Sequence, residues 1–256
     1  MIISLGNHIQ LAMEAIGPVI NSFTYPVFVN AENNRPDLIA SSVAINLNNR
    51  TYLITASHVL DTVIFAKSPF YIALEGAFIQ LEGEFIRSVK KPRDPFDIAF
   101  LELSAEMVVS NNIQVLSAES LMIRKNFKEV QLSLIHGYPC SKNNQFKALR
   151  RGTTFKSLAY SYGGKVDREF NNWQEYNKHQ DFHICMNYGR GRGISGEITT
   201  PPTPRGISGG GLWLIPNLLS PHNVYLSGIF IEYHSAGKVS FSTKIEKVAK
   251  FIEDNA

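Results

Sequence analysis

Three short segments of the chain carry residues suited to nucleophilic catalysis. Ser208 lies in the run Arg-Gly-Ile-Ser-Gly-Gly-Gly, where glycines on both sides let the backbone turn sharply and aim N–H groups at one point. A serine hydroxyl is a poor nucleophile at neutral pH, so it needs a base and an acid that orients the base. His58, in Thr-Ala-Ser-His-Val, supplies a base, and Asp97, in Asp-Ile-Ala-Phe-Leu, supplies the acid. The order His58, Asp97, Ser208 is one in which such triads occur.

Together the three segments resemble the trypsin/chymotrypsin-like serine proteases, which carry Thr-Ala-x-His, Asp-Ile-Ala-x-Leu and Gly-x-Ser-Gly-Gly motifs. The tripeptide Gly137-Tyr138-Pro139 is similar to the Gly-aromatic-Pro element found at the start of the second barrel in many bacterial members of the family. The resemblance covers roughly residues 20–252. It implies a serine endopeptidase that cleaves a protein or peptide substrate through an acyl-enzyme and needs no cofactor.

The resemblance also implies which residues surround the nucleophile. The backbone N–H groups of Gly206 and Ser208 would form the oxyanion hole. The substrate pocket would be lined by residues before the nucleophile and by a later strand, namely Pro202, Thr203, Ile231, Glu232 and Tyr233.

Two departures from the family pattern limit the expected specificity and activation. Ile207 stands where activatable secreted members carry an aspartate that holds a newly cut N-terminus, so we expect no activation by clipping. Pro202 lies six residues before Ser208, where trypsin carries the aspartate that binds basic substrate side chains. The sequence therefore does not support a preference for basic substrate residues that depends on such an aspartate.

Rival residues exist for the nucleophile and the acid. Ser195 lies in an earlier copy of the pentapeptide Arg-Gly-Ile-Ser-Gly, but Glu-Ile-Thr follows it instead of glycines and an apolar run, which favours Ser208. Asp94 precedes a proline and indicates a turn, whereas Asp97 begins an apolar strand.

The remaining histidines that lie on or beside predicted strands favour structural roles. His136, His183 and His234 are each interpreted as satisfied structural histidines. His183 and Cys185 share a strand face, but no further ligands recur at suitable spacing, so no metal site is predicted.

Composition narrows the possible partners and compartments. The 256 residues are 44% hydrophobic and 18% charged with a formal net charge of +3, as in a compact protein without a nucleic-acid surface. No apolar run is long enough to span a membrane. The N-terminal residues lack the features of a secretory signal, and the chain has only two cysteines, Cys140 and Cys185. Both observations favour a reducing cytoplasm, and we expect a bacterial one.

Hydrophobic patterning predicts an all-β protein of two antiparallel, six-stranded-type β-barrels with a helix at each end. Helical spacing predicts an N-terminal helix over 9–20 that ends at Gly17-Pro18, and a C-terminal helix from Ile245. The predicted division is a helical segment (1–20), a first barrel with His58 and Asp97 (21–115), and a second barrel with Ser208 (116–256). Alternation and turn residues predict strands at 25–29, 43–47, 52–54, 71–74, 78–81, 98–103, 130–134, 154–160, 182–186, 211–215 and 224–231.

Two hypotheses concern regulation and an alternative function. An active protease inside a cell needs control, so we expect a partner protein or signal to gate it. The runner-up function is a non-catalytic protein-binding module on a protease fold, which the complete triad argues against.

Overall fold

The computed structural model describes residues 5–31, 35–66, 69–74, 76–88, 96–123, 125, 132–143, 157–192, 197–218 and 223–256. The helices there are α1 (Leu5–Ser22), α2 (Ser57–Ala66), α3 (Ala105–Ser110) and α4 (Ile245–Asn255). The strands are β1 (Thr24–Ala31), β2 (Arg35–Leu47), β3 (Arg50–Ala56), β4 (Tyr71–Leu74), β5 (Ala77–Gln80), β6 (Ile86–Arg87), β7 (Ile98–Leu103), β8 (Leu132–Gly137), β9 (Tyr160–Gly164), β10 (His183–Asn187), β11 (Gly191–Arg192), β12 (Ile198–Thr199), β13 (Gly211–Ile215), β14 (Tyr225–His234) and β15 (Val239–Lys244).

The first sheet contains seven strands in the order β5-β4-β1-β2-β3-β7-β6, and its neighbours pair antiparallel. A two-residue turn joins β2 to β3, and both of its residues, Asn48 and Asn49, have positive φ angles of 52° and 62°. Asparagine tolerates this left-handed backbone, and such turns match the twist of a hairpin. The predicted turn is therefore confirmed, and it sets the register of β2 against β3.

The second sheet has six strands in the order β10-β15-β14-β13-β8-β9. Its strands are antiparallel throughout the described pairs. Trp213 lies in β13 and is fully buried, as its place in an apolar run indicates. The predicted all-β architecture of two antiparallel sheets with helices at both ends is confirmed, although the first sheet has seven strands instead of six.

The N-terminal helix departs from the predicted end point. It was expected to stop at Gly17-Pro18, yet α1 continues through Pro18 to Ser22. Proline removes one helical hydrogen bond and costs about 3 kcal/mol in a helix interior. Ile16 and Ile20 are buried on either side of it, and this apolar contact with the core offsets the loss.

Two helices inside the first half were not predicted. α2 follows β3 directly and α3 lies in the polar connection between the sheets. The C-terminal helix α4 was predicted, and its apolar face buries Ile245, Val248, Ala249 and Ile252.

The connection between the sheets contacts both of them. Leu116 bridges to Ile45 of β2, and Leu121 bridges to Leu226 of β14. Tyr138, just after β8, donates its hydroxyl hydrogen to the Thr24 carbonyl oxygen at 3.1 Å. These contacts hold the two sheets against each other, and the catalytic candidates lie where the sheets meet.

Candidate active site

His58 and Asp97 form a tightly coupled pair. His58 Nδ1 lies 2.7 Å from Asp97 Oδ2, and the His58 backbone N–H donates to Asp97 Oδ1 at 2.8 Å. The Asp97 side chain is 16% exposed and the His58 side chain 49% exposed. Because Oδ2 accepts from Nδ1–H, the second ring nitrogen, Nε2, is left as the proton acceptor.

The local fold explains why Asp97 takes this position. Ser57 and His58 are the first residues of α2, where backbone N–H groups have no partner within the helix. Asp97 satisfies both, since its carbonyl accepts from Ser57 N–H at 3.0 Å and its carboxylate from His58 N–H. Asp97 itself has a left-handed φ of 48°, a strained conformation that aspartate tolerates better than most residues.

A contact from the second sheet supports the aspartate segment. Thr243 of β15 donates its hydroxyl hydrogen to the Phe96 carbonyl at 2.7 Å. The residue before Asp97 is therefore held by the other half of the molecule. The sequence did not suggest this support, because the two residues are far apart in the chain.

The Ser208 turn is built on two glycines with positive φ angles, Gly206 at 93° and Gly209 at 86°. A Cβ on Gly206 would lie 2.5 Å from the Tyr138 carbonyl oxygen, and one on Gly209 would lie 2.1 Å from the Ser41 carbonyl oxygen. No other residue fits these positions without moving the backbone. The turn is thus packed against both sheets.

Hydrogen bonds orient the two peptide groups that the resemblance assigns to an oxyanion hole. The Arg205 carbonyl accepts from Cys140 N–H at 2.8 Å, and the Ile207 carbonyl accepts from Gly210 N–H at 2.7 Å. In a trans peptide the following N–H points the opposite way. The N–H groups of Gly206 and Ser208 are therefore turned away from these contacts, and neither has an acceptor among the described residues.

The Ser208 hydroxyl does not bond to His58 in this structure. It donates to the Ile231 carbonyl oxygen at 3.4 Å, a long and weak contact. Within the described part of the chain no hydrogen bond joins Ser208 Oγ to His58. Catalytic hydrogen bonds are often long or poorly aligned without substrate, so this geometry is compatible with a nucleophile that turns toward its base.

One cleft of about 640 Å³ contains all three triad candidates. Of the predicted pocket residues, Thr203, Ile231, Glu232 and Tyr233 line it. Pro202 instead lines a neighbouring hollow, and its carbonyl accepts from the Tyr188 hydroxyl at 2.8 Å.

The neighbouring hollow is larger, about 1960 Å³, and shares Thr203 with the cleft. None of His58, Asp97 and Ser208 lines it. The smaller cleft is the candidate site because titratable groups converge in it, although the other hollow is larger.

Glu232, a predicted pocket residue, belongs to a charged cluster in one wall of the cleft, and its partners Lys178 and His234 were not predicted to lie there. Lys178 Nζ lies 2.8 Å from Glu232 Oε1, and His234 Nε2 lies 3.0 Å from the same oxygen. The Lys178 side chain is only 5% exposed, and the Glu232 carboxylate is its ion-pair partner. Burial raises the pKa of Glu232, but Lys178 and His234 outweigh it and lower the pKa below its usual range.

The electrostatics of the cleft favour protonation of His58. Burial lowers the pKa of His58, while the hydrogen bond and charge of Asp97, with the charges of Glu232 and Asp61, raise it more. The net effect is a pKa above the ordinary 6.5. A base with a raised pKa is a stronger proton acceptor, as proton removal from a serine requires.

The other histidines have different surroundings. His136 is buried in β8, with Nδ1 2.7 Å from Ser161 Oγ, and burial lowers its pKa to about 4. His183 is buried in β10. His234, predicted to be a satisfied structural histidine, lines the cleft with Nε2 3.0 Å from Glu232 Oε1.

Cys140 and Cys185 are both free thiols. Burial, with the nearby Asp167 carboxylate, raises the pKa of Cys185 to about 12, so this thiol stays protonated. Among the described residues no three His, Cys, Asp or Glu side chains converge as metal ligands. The rivals Ser195 and Asp94 lie outside the described residues.

The described helices include none long and apolar enough to cross a bilayer.

Comparison with solved structures identifies the fold as that of chymotrypsin-like proteases. The serine protease domain of the Sesbania mosaic virus polyprotein is 14% identical with a TM-score of 0.50, covering 89% of this chain and 91% of that one. A Glu endopeptidase in complex with MPD is 12% identical with a TM-score of 0.51, covering 90% and 91%. A Sesbania mosaic virus structure from work on the coupled folding and binding of the disordered VPg protein is 14% identical with a TM-score of 0.51, covering 90% and 96%.

Comparison by sequence finds no matching family model and no matching curated protein. At these identities the structural likeness establishes the fold alone.

Proposed function

We propose that this chain is a serine endopeptidase in which Ser208 is the nucleophile, His58 the base and Asp97 the orienting acid. The observation that carries the proposal is the 2.7 Å contact between His58 Nδ1 and Asp97 Oδ2 in the cleft that also contains Ser208. A buried carboxylate that fixes the imidazole tautomer serves the base of a nucleophile. The chymotrypsin-like fold makes a peptide the expected substrate.

The reaction would begin with a rotation of the Ser208 side chain from the Ile231 carbonyl toward His58. His58 Nε2 takes the hydroxyl proton as Oγ attacks the substrate carbonyl carbon. The oxygen that becomes negative is held by the N–H groups of Gly206 and Ser208, which have no described acceptor. His58 then gives its proton to the leaving amine, which leaves the acyl-enzyme. In the second half His58 takes a proton from water as the water oxygen attacks the acyl carbon, and gives it to Ser208 Oγ as the carbon–Oγ bond breaks and the acid leaves.

The resting position of Ser208 supports the idea that the site is gated. A hydroxyl that contacts Ile231 instead of its base is less reactive than one already bonded to His58. A substrate, a partner protein or another signal that displaces this contact would raise the activity.

The same observation favours a second candidate, a protein-binding module that uses the cleft without cutting. In such a module, the long Ser208 contact to Ile231 would be the permanent arrangement. The two candidates differ in whether Ser208 reacts covalently.

A fluorophosphonate probe tests the proposal, with mass spectrometry to map the labelled peptide. We expect labelling at Ser208 in the wild type and in Ser195→Ala, and none in Ser208→Ala. Ser195→Ala is the matched control because that serine has the same local pentapeptide. Labelling at Ser195 would overturn the site, and folded wild type that neither labels nor cleaves denatured casein would favour the binding module.

A further inference from the structure

The charged side chains that line the cleft are paired with one exception. Among the described residues that line the cleft, four pairs are formed, namely His58 with Asp97, Arg87 with Asp61, and both Lys178 and His234 with Glu232. The exception is Arg205, which lines the cleft and forms no ion pair or side-chain hydrogen bond with a described residue. Within the part of the chain that the structure describes, Arg205 is therefore a cation without a carboxylate partner in the same cleft as the triad candidates.

The backbone holds this arginine in a fixed place. Its carbonyl accepts from Cys140 N–H, and the carbonyl of the preceding Pro204 accepts from Ile207 N–H, both at 2.8 Å. Pro204 is buried and its ring fixes φ, while Gly206 on the other side is locked by its packing. The main chain is thus rigid, whereas the Arg205 side chain is exposed.

Arg205 directly precedes Gly206, whose N–H would hold the oxyanion of the attacked carbonyl. Because Arg205 and Ser208 line the same cleft, a substrate whose scissile carbonyl lies at Ser208 would place its neighbouring residues beside Arg205. A guanidinium stays charged at every working pH and binds a carboxylate through two parallel hydrogen bonds. Glu232 lines the same cleft, but its described partners are Lys178 and His234, which both contact Oε1, and no ion pair joins it to Arg205 among the described residues.

We propose that Arg205 selects substrates that carry an aspartate or glutamate next to the scissile bond. The inference rests on the proposed peptidase function of the same cleft. Arg205 acts on the substrate side chain and takes no part in proton transfer. An acidic residue there gains a charge-assisted contact, whereas an amide or apolar residue leaves the arginine in water.

The test begins with a peptide library made from a denatured proteome, digested by the wild type, by Arg205→Gln and by Arg190→Gln, with all cleavage sites read by mass spectrometry. Arg190 is the matched control because it is an exposed arginine that does not line the cleft. The preferred sequence is then made as a pair of peptides that differ only in Glu against Gln at the enriched position.

We expect acidic residues to be enriched within two positions of the cut by the wild type and by Arg190→Gln, and not by Arg205→Gln. The wild type should cleave the Glu peptide with a kcat/KM about five- to tenfold above that of the Gln peptide, a ratio typical of a partly solvated charge pair. In Arg205→Gln this ratio should approach one, and added salt should lower it in the wild type.

Two outcomes would overturn the inference, and they are distinct. Cleavage by the wild type without acidic enrichment, or enrichment that survives in Arg205→Gln, removes the role of Arg205 and leaves the peptidase intact. No cleavage of any library peptide by protein that is folded by circular dichroism removes the peptidase function, and the inference with it.

Discussion

Replacing Gly206 with alanine tests the construction of the nucleophile turn and its proposed chemistry in one variant. The new Cβ would lie 2.5 Å from the Tyr138 carbonyl oxygen and 2.8 Å from both the backbone nitrogen and the sulfur of Cys140. Two of these neighbours are backbone atoms, so the turn itself must move. The φ of 93° adds a separate cost, because alanine avoids this conformation.

The two costs can be estimated separately. A left-handed conformation costs an L-residue about 1–2 kcal/mol. Overpacking in a tight site costs about 1–3 kcal/mol. We therefore expect Gly206→Ala to lower the free energy of unfolding by about 2–5 kcal/mol. Because the N–H of residue 206 is displaced with the turn, labelling by a fluorophosphonate should slow by about a hundred- to a thousandfold.

Urea unfolding gives the first quantity and the rate of probe labelling the second. Gly191→Ala is the matched control, since a Cβ there meets no described atom within 4 Å and the residue has no positive φ. It should unfold within about 0.5 kcal/mol of the wild type. Wild-type stability in Gly206→Ala would refute the packing of the turn, and a destabilised variant that labels at the wild-type rate would refute the oxyanion role.

Two further predictions concern histidines and pH. Because Asp97 raises the pKa of His58 and burial lowers it, Asp97→Asn should move the NMR titration of His58 to lower pH, and an unmoved titration would contradict the pairing. His136 binds fewer protons folded than unfolded, with a pKa of about 4 against an ordinary 6.5. The contribution of neutral His136 to the free energy of unfolding is therefore fully present above pH 6.5. It is lost as the pH falls from 6.5 to 4, by about 3 kcal/mol, because protons then bind the unfolded chain more strongly. Urea unfolding at pH 7 and pH 4.5 should show a smaller loss in His136→Gln than in the wild type, and equal losses would show that His136 is not buried neutral.

The triad candidates could be predicted because each is marked by its immediate neighbours. His58 follows the apolar strand β3, Asp97 precedes the apolar strand β7, and Ser208 lies among glycines before β13. Local composition is enough to find such positions, since they depend on where a buried strand begins or ends.

Other features depend on contacts that no local pattern reveals. α2 was missed because it is short and its apolar residues do not form a clear helical stripe. α1 passes through Pro18 because burial of its flanking isoleucines outweighs a local rule. The pair of Lys178 and Glu232 joins distant parts of the chain, so charge patterning along the sequence could not indicate it.

Ser41 shows most directly how the proposed site depends on both halves of the molecule. It lies in β2 of the first sheet, and its hydroxyl donates to the Gly206 carbonyl at 2.7 Å while accepting from Tyr138 N–H at 2.8 Å. Its backbone N–H donates to the Ser208 carbonyl at 2.9 Å. One residue of the first sheet thus holds the turn of the second in place. His58 and Asp97 also belong to the first half, so the contact between the two sheets sets the distance between the base and the nucleophile. The motifs therefore predict which residues form the candidate triad but not where the Ser208 hydroxyl lies.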